Sequence, residues 1–235
     1  MPDIVINKFA RKGKPKEDKA RLQALAADVR AKLDSVYLPY ADSDNTDFVT
    51  RVRTYGDADY LFVINDKRDY GDYLGPWKRT MEKGVPNDGV VTLRRKNVKA
   101  VYDLVAHKPV NFKATKDGIM IPQVFDSNDG HLLMVMGDKV EKVECKVTPT
   151  KDNNLKYGIR VRVLGGNGKP LSANVPINIS IFDPNGKLID GSGAACAVDG
   201  VCHHQILTTA ANGKWTVVVT ELASGKADTV KFNRK

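Results

Sequence analysis

The chain has 235 residues, 42% apolar and 28% charged, with a formal net charge of +9 and a pI near 9.3. This is the composition of a soluble globular protein with room for two ordinary domains, each able to bury a core. It excludes a helical membrane protein, because no stretch approaches the roughly 18 continuous apolar residues of a span.

The elements follow in chain order. Residues 1–13 show little pattern, and Met1 to Lys19 lack the apolar middle of a signal peptide. The chain is therefore expected to be cytosolic, or a mature or excised piece of a secreted protein. Pro15, with Glu17 and Asp18 in the first turn, marks a helix start. Leu22, Leu25, Ala26, Val29 and Leu33 then fall on one helical face, so the helix runs to about Ser35 and its stripe must pack on something. Nine Lys/Arg against five Asp/Glu lie in residues 1–34. The remaining charge is scattered along alternating strands, as on solvated sheet faces. No nucleic-acid-binding motif is present, and neither nucleic acid nor membrane is expected as a partner. Ala41 to Asp47 reads as a polar linker, giving an arm, helix and linker over residues 1–47.

From Phe48 the period changes to that of strands. Asp59 to Asn65 is strongly apolar, and Val90–Leu93, Val98–Leu104, Lys108–Lys113, Gly118–Val124 and His131–Met136 follow. Asp117-Gly118 and Asn128-Asp129-Gly130 supply turns. Short strands at this spacing predict a β-sandwich over residues 48–138. A second run spans residues 139–235: Val143–Val147, Tyr157–Leu164, Val175–Phe182, Lys187–Asp190, His203–Leu207, Trp215–Thr220 and Thr229–Phe232. About seven strands in this length predict an Ig-like sandwich, with Trp215 pointing into its core. The fold class expected is mainly β: two β-sandwich domains, the second Ig-like, behind one amphipathic helix. Of the three cysteines, Cys196 and Cys202 flank a Val-Asp-Gly-Val hairpin centre. They can face each other in a small-loop disulfide or remain reduced thiols. Cys145 is left over as a small apolar residue.

Two stretches carry a resemblance. The series RVRTYGDADYLFVIND, VYDLV and GIMIPQVFDSNDGHLLMVM resembles the all-β domains that follow the catalytic barrel in many bacterial glycoside hydrolases. VPINISIFDPNGK with NGKWTVVVTELASGK resembles Ig-like or macroglobulin-like domains of secreted bacterial proteins. Together they cover about residues 48–235, with no room for the barrel itself. The resemblance implies a non-catalytic accessory region, extracellular, periplasmic or on the cell surface. Its partner would be a polysaccharide or a covalently linked catalytic domain; the alternatives are a structural or protein-interaction module with no ligand of its own, and a free-standing glycoside hydrolase. That setting favours the Cys196–Cys202 bond.

The segment from Asn65 to Gly89 stands out, because it has almost no strand pattern and long connections are often functional. Tyr70, Tyr73 and Trp77 can stack on the flat faces of sugar rings. Arg68, Lys78, Arg79 and Lys67 can pair with sulfate or carboxylate on an acidic glycan. The alternative is that Tyr73 and Trp77 fold back over the open end of the sandwich. Asp66, Asp69, Asp72 and Glu82 would have to supply the two carboxyls of a glycosidase, but one loop on a sandwich rarely closes a pocket around them. No catalytic residue is assigned. No metal or cofactor is expected: His203 and His204 are neighbours on a strand and point to opposite faces, and Asp126–Gly130 lacks the Glu that closes a calcium loop. Gly165-Gly166-Asn167-Gly168 joins two strands and opens no helix, which makes it a hairpin turn and not a phosphate loop.

Overall fold

The computed structural model describes residues 15–74, 79–151, 155–208 and 212–234, and the side chains of 20–69, 83–151, 155–208 and 212–234. The chain is mainly β and divides into two compact units, Met1–Tyr40 and Ala41–Lys235. The first unit carries α1 (Pro15–Asp34). Its predicted stripe residues Leu22, Leu25, Val29 and Leu33 are exposed.

The second unit begins with a correction. Residues 41–47 are not a linker: Ala41–Ser43 is a strand, β1, paired with β6 (Asn87–Leu93) through Ala41↔Leu93 and Ser43↔Val91. A sheet ladder fixes this segment although its sequence is polar, because backbone groups supply the pairing. The first sandwich stacks two antiparallel sheets. One has the order β1-β6-β10-β9, with β9 at Lys113–Ala114 and β10 at Ile119–Phe125. The other runs β2-β3-β11-β7-β8: Phe48–Tyr55, Ala58–Asn65, Gly130–Met136, Ala100–Asp103 and Lys108–Pro109. Alternate residues turn inward and form one core, with Val91, Leu93, Ile119, Ile121 and Phe125 facing Leu61, Val63, Leu133 and Val135.

The second sandwich has sheets β12-β13-β16 (Lys142–Pro149, Lys156–Leu164, Val201–Leu207) and β15-β14-β17-β18 (Gly193–Ala197, Val175–Phe182, Gly213–Glu221, Ala227–Arg234). Strand β14 buries Val175, Ile177, Ile179 and Ile181, and Trp215 on β17 is fully buried, as their alternation predicts. The strand expected over residues 187–190 is only a bridge, Leu188 to Phe182, and β15 takes its place at the sheet edge. Pairing with β14 overrides the weak strand propensity of Gly193-Ala194-Ala195.

The two sandwiches share an interior. Strand β11 sends Leu133 and Val135 into the first core, while Met134 and Met136 on its other face join the core of the second. Ala58 and Tyr102, on the same outer face, are buried with them. Burial of Met134 and of Met136 contributes roughly 1.5–3 kcal/mol each. Hydrogen bonds fix the angle. The Tyr60 hydroxyl accepts from Asn174 N at 2.8 Å and donates to Asn174 O at 2.7 Å. Val140 N donates to the Tyr102 hydroxyl at 2.9 Å. Asp57 N donates to Ser172 O, and Gly56, at φ +57, lies so close that a Cβ there would sit 2.1 Å from that oxygen. From the other side, the buried Glu221 carboxylate accepts from Ala223 N, Ser224 N, the Ser224 hydroxyl and Lys226 N. The turn it organises offers Leu222 O to His107 Nδ1 at 2.8 Å.

The expected Cys196–Cys202 disulfide is corrected by the turn register. Val198 bridges Val201, and both turn residues have positive φ, Asp199 at 49° and Gly200 at 69°. A two-residue loop of this kind sets Ala197 opposite Cys202, which puts Cys196 on the other face. Ala197 and Cys202 are buried, Cys196 is exposed, and all three thiols are free.

Two outcomes follow. A maleimide should label native protein first at Cys196, since burial pushes the Cys145 thiol up to about 12 and Cys202 is enclosed. Unfolding without reductant should then expose three reactive thiols. Separately, Tyr60→Phe strands two backbone groups of Asn174 and should cost about 1–3 kcal/mol in urea unfolding. Burial raises the Tyr60 phenol from 10.0 to about 12. Folding therefore holds that proton more tightly than the unfolded chain. The contribution is intact below pH 10 and lost as pH climbs toward 12, so alkaline unfolding of the parent should be steeper than that of Tyr60→Phe.

Candidate functional site

The segment expected to be an irregular excursion is a β-hairpin. β4 (Arg68–Leu74) and β5 (Arg79–Gly84) pair antiparallel with each other and with no other strand among the described residues. Tyr70 stands opposite Glu82 and Tyr73 opposite Thr80, with a register shift between Tyr70 and Tyr73. That irregularity, at Gly71-Asp72, breaks the alternation by which a strand is recognised.

Asn65, the last residue of β3, holds the base of the hairpin. It is buried, and its Nδ2 donates to Val85 O and to Asp126 O, both at 2.9 Å. Its Oδ1 accepts from Lys67 N at 3.1 Å. One amide thus ties the entry of the hairpin, its exit and the turn at 126–130. The backbone adds Asn65 N to Asp129 O, Asp66 N to Asp47 O and Val85 N to Lys67 O. Asn128 adopts φ 57° in that turn, and its side chain lies where a Cβ on Gly84 would come within 2.2 Å. A side chain at Gly84 would require the Asn128 amide to shift. Beside the base, Asn45 Nδ2 donates to Asn87 Oδ1 at 3.0 Å and Asp88 O at 2.7 Å, and Lys67 Nζ donates to Asn87 Oδ1 at 3.3 Å.

These residues frame an open cavity of about 320 Å³ lined by Ile64, Asn65, Asp66, Arg68, Gly84 and Asn128. Arg68 Nε donates to Asp66 Oδ1 at 2.9 Å, with both side chains about half exposed. The wall therefore offers guanidinium donors, carboxylate and amide acceptors and one apolar surface. That combination suits a polyhydroxylated ligand.

Of the sequence-predicted residues, the structure places Arg68 on this wall. Tyr70, Tyr73 and Arg79 lie on the paired strands, with side chains outside those described. Trp77 and Lys78 lie outside the described residues. Sequence reasoning missed Asn65 and Asn128. The only available signal was an Asn closing an apolar strand and another opening an Asn-Asp-Gly turn.

Two other polar groups lie elsewhere in the second unit. At one end of the first core His131 Nδ1 lies 2.8 Å from Gln123 Oε1 and 3.8 Å from Asp103, whose Oδ1 accepts from Val105 N and Ala106 N. Those bonds hold a turn. A second cavity of about 430 Å³ is lined by Glu144, Cys145, Lys146, Arg160, Arg162 and Asp228. Its thiol is pushed up to about 12 by burial and then by Asp228, which leaves it a poor nucleophile at neutral pH. No group of three metal-ligating side chains occurs among the described residues. No helix among them is long and apolar enough to cross a membrane.

No family model and no curated protein matches the chain. Among solved structures it is similar to a Parabacteroides merdae β-glucuronidase crystallised with glycerol in its active site. Identity is 13% and the TM-score 0.32, over 81% of this chain and 25% of that one. It is also similar to a putative β-galactosidase from Bacteroides fragilis, at 14% identity and TM-score 0.25, over 84% of this chain and 35% of that one. The chain spans about a quarter and a third of these proteins.

If Asn65 anchors the hairpin, Asn65→Ala removes three hydrogen bonds and should destabilise the protein by about 2–4 kcal/mol. Amide exchange at Lys67 should rise more than at core residues such as Val63. Equal protection of Lys67 in parent and variant would show that the base is held by other means.

Proposed function

We propose that this chain is a non-catalytic tandem of β-sandwiches, the second Ig-like, from an extracellular or periplasmic carbohydrate-active protein, and that it binds a glycan through the 68–84 hairpin. The observation that carries this reading is the self-contained pairing of β4 with β5 above a polar cavity. Neither strand is needed to complete a sandwich sheet, so the hairpin's residues are available for another task. That hairpin concentrates Tyr70, Tyr73, Trp77, Arg68, Lys78 and Arg79 in seventeen positions, 68–84. Aromatic rings stack on sugar C–H faces, the cavity wall bonds hydroxyls, and the cations favour an acidic polymer.

Three carboxylates at the cavity or in the interior are already engaged. Asp66 is paired with Arg68, and Asp103 and Glu221 are committed to backbone N–H groups. A second reading, a rigid support for a linked catalytic domain with no ligand of its own, draws on the fixed joint between the sandwiches.

Affinity electrophoresis through gels containing neutral or acidic polysaccharides separates the two. Retardation by at least one polymer is expected. Tyr73→Ala with Trp77→Ala should weaken it at least about tenfold, equivalent to ~1.4 kcal/mol. Retardation that survives both substitutions removes the hairpin platform, absence of any retardation favours the support role, and turnover of a polysaccharide by the pure chain overturns the non-catalytic reading.

A further inference from the structure

A sandwich has two open sides where edge strands leave backbone groups unpaired. In the second sandwich these sides are closed by strands of similar length. β12 lies against β18, joined by Cys145 N donating to Asp228 Oδ2 at 2.8 Å, and β15 turns directly into β16. In the first sandwich one side ends in the two-residue strands β8 and β9. The other side is unequal: β1 has three residues, whereas β2, the end strand of its sheet, has eight. β2 pairs only with β3 among the described residues, so most of its second edge has no strand beside it.

The side chains along that edge define what can fill it. The register Val49↔Ile64, Arg51↔Phe62, Arg53↔Tyr60 and Tyr55↔Ala58 puts Val49, Arg51, Arg53 and Tyr55 in one row on the outer face. All four are exposed. Among the described residues neither Arg51 nor Arg53 has an ion-pair partner. Next to the row, Phe62 and Ile64 remain 38% and 49% exposed, on the same face that the second sandwich covers further along. A second copy is a poor occupant. Antiparallel pairing that sets Val49 across from Tyr55 also sets Arg51 across from Arg53, and like charges directly opposite are destabilising. The same two cations favour an acidic strand.

We propose that the free edge of β2 docks an extended segment of a partner protein as an added strand, with acidic residues across from Arg51 and Arg53 and apolar residues across from Val49 and Tyr55. Main-chain hydrogen bonds to β2 hold the segment, and the arginine pair selects its charge. This is independent of the glycan reading, which concerns the hairpin.

The test uses the full chain and a fluorescent peptide, Val-Thr-Glu-Val-Glu-Thr-Val, followed by polarisation. Saturable binding is expected. It should weaken at least about tenfold in Arg51→Glu/Arg53→Glu and return for that variant with the peptide carrying Lys in place of Glu. Both arginines are exposed, so the variant should melt with the parent, and the swapped peptide reports on a folded edge in either case. No binding to the parent, binding indifferent to charge reversal, or amide protection over residues 49–55 that rises with protein concentration, which would put a second copy on the edge, each overturns the proposal.

Discussion

A β-sheet has two faces, and the sheet built on β3 and β11 has both of them covered along half its length. This arrangement forces the rest of the joint. Once Met134, Met136, Ala58 and Tyr102 are buried on the outer face, the second sandwich has to sit close enough to exclude water. Every backbone group caught between must then find a partner. Tyrosine suits the task because its ring buries while its hydroxyl reaches past the apolar layer. Tyr60 satisfies both backbone groups of Asn174 in this way, and Tyr102 satisfies Val140. Glu221 does the same for its own turn with a carboxylate. Domains joined by a polar surface move by default. Here an apolar cluster and a set of buried polar anchors hold the two sandwiches as one compact unit.

Much of this was legible in the sequence because burial writes periodicity. Strands β14 and β17 alternate strictly, since each has one face on a core. The run Tyr60-Leu61-Phe62-Val63-Ile64 does not alternate, which is the pattern of a strand apolar on both faces. The structure gives that run two settings: Leu61 and Val63 lie in the core, and Tyr60 lies under the neighbouring sandwich. What stayed hidden depends on pairing and not on burial. β1 is polar yet fixed by a ladder to β6, β15 is built of small residues yet fixed to β14, and the hairpin's ladder shifts register between Tyr70 and Tyr73. The cysteine pair failed for a related reason. Cys196 and Cys202 bracket the turn, but only the positions of its two positive-φ residues decide which side chains share a face.

The base of the hairpin was hidden for a different reason. Asn65 acts on the carbonyls of Val85 and Asp126, which lie 20 and 61 positions away. No local spacing encodes such a bond. The chain shows only that a polar residue ends an apolar strand, which fits any turn. Sequence could propose Arg68 and the aromatic residues because their chemistry is intrinsic, whereas the cavity beside Arg68 exists only after three separate segments converge.

That convergence also relates the hairpin to the edge of its parent sheet. Asp66 N bonds Asp47 O, and Asp47 directly precedes β2, while Ile64 lines the cavity and stands opposite Val49. The first residues of β2 and the base of the hairpin are therefore one hydrogen-bonded structure. The order of β2 at that end and the order of the hairpin base share the same bonds, so loosening one reaches the other. The arginines sit further along, across from Phe62 and Tyr60, where the strand is fixed by its ladder and not by the hairpin. Charge at Arg51 and Arg53 can thus change without disturbing Asn65. Arg51 and Arg53 on the edge and Arg68 at the cavity thus share one scaffold but stand on separate parts of it.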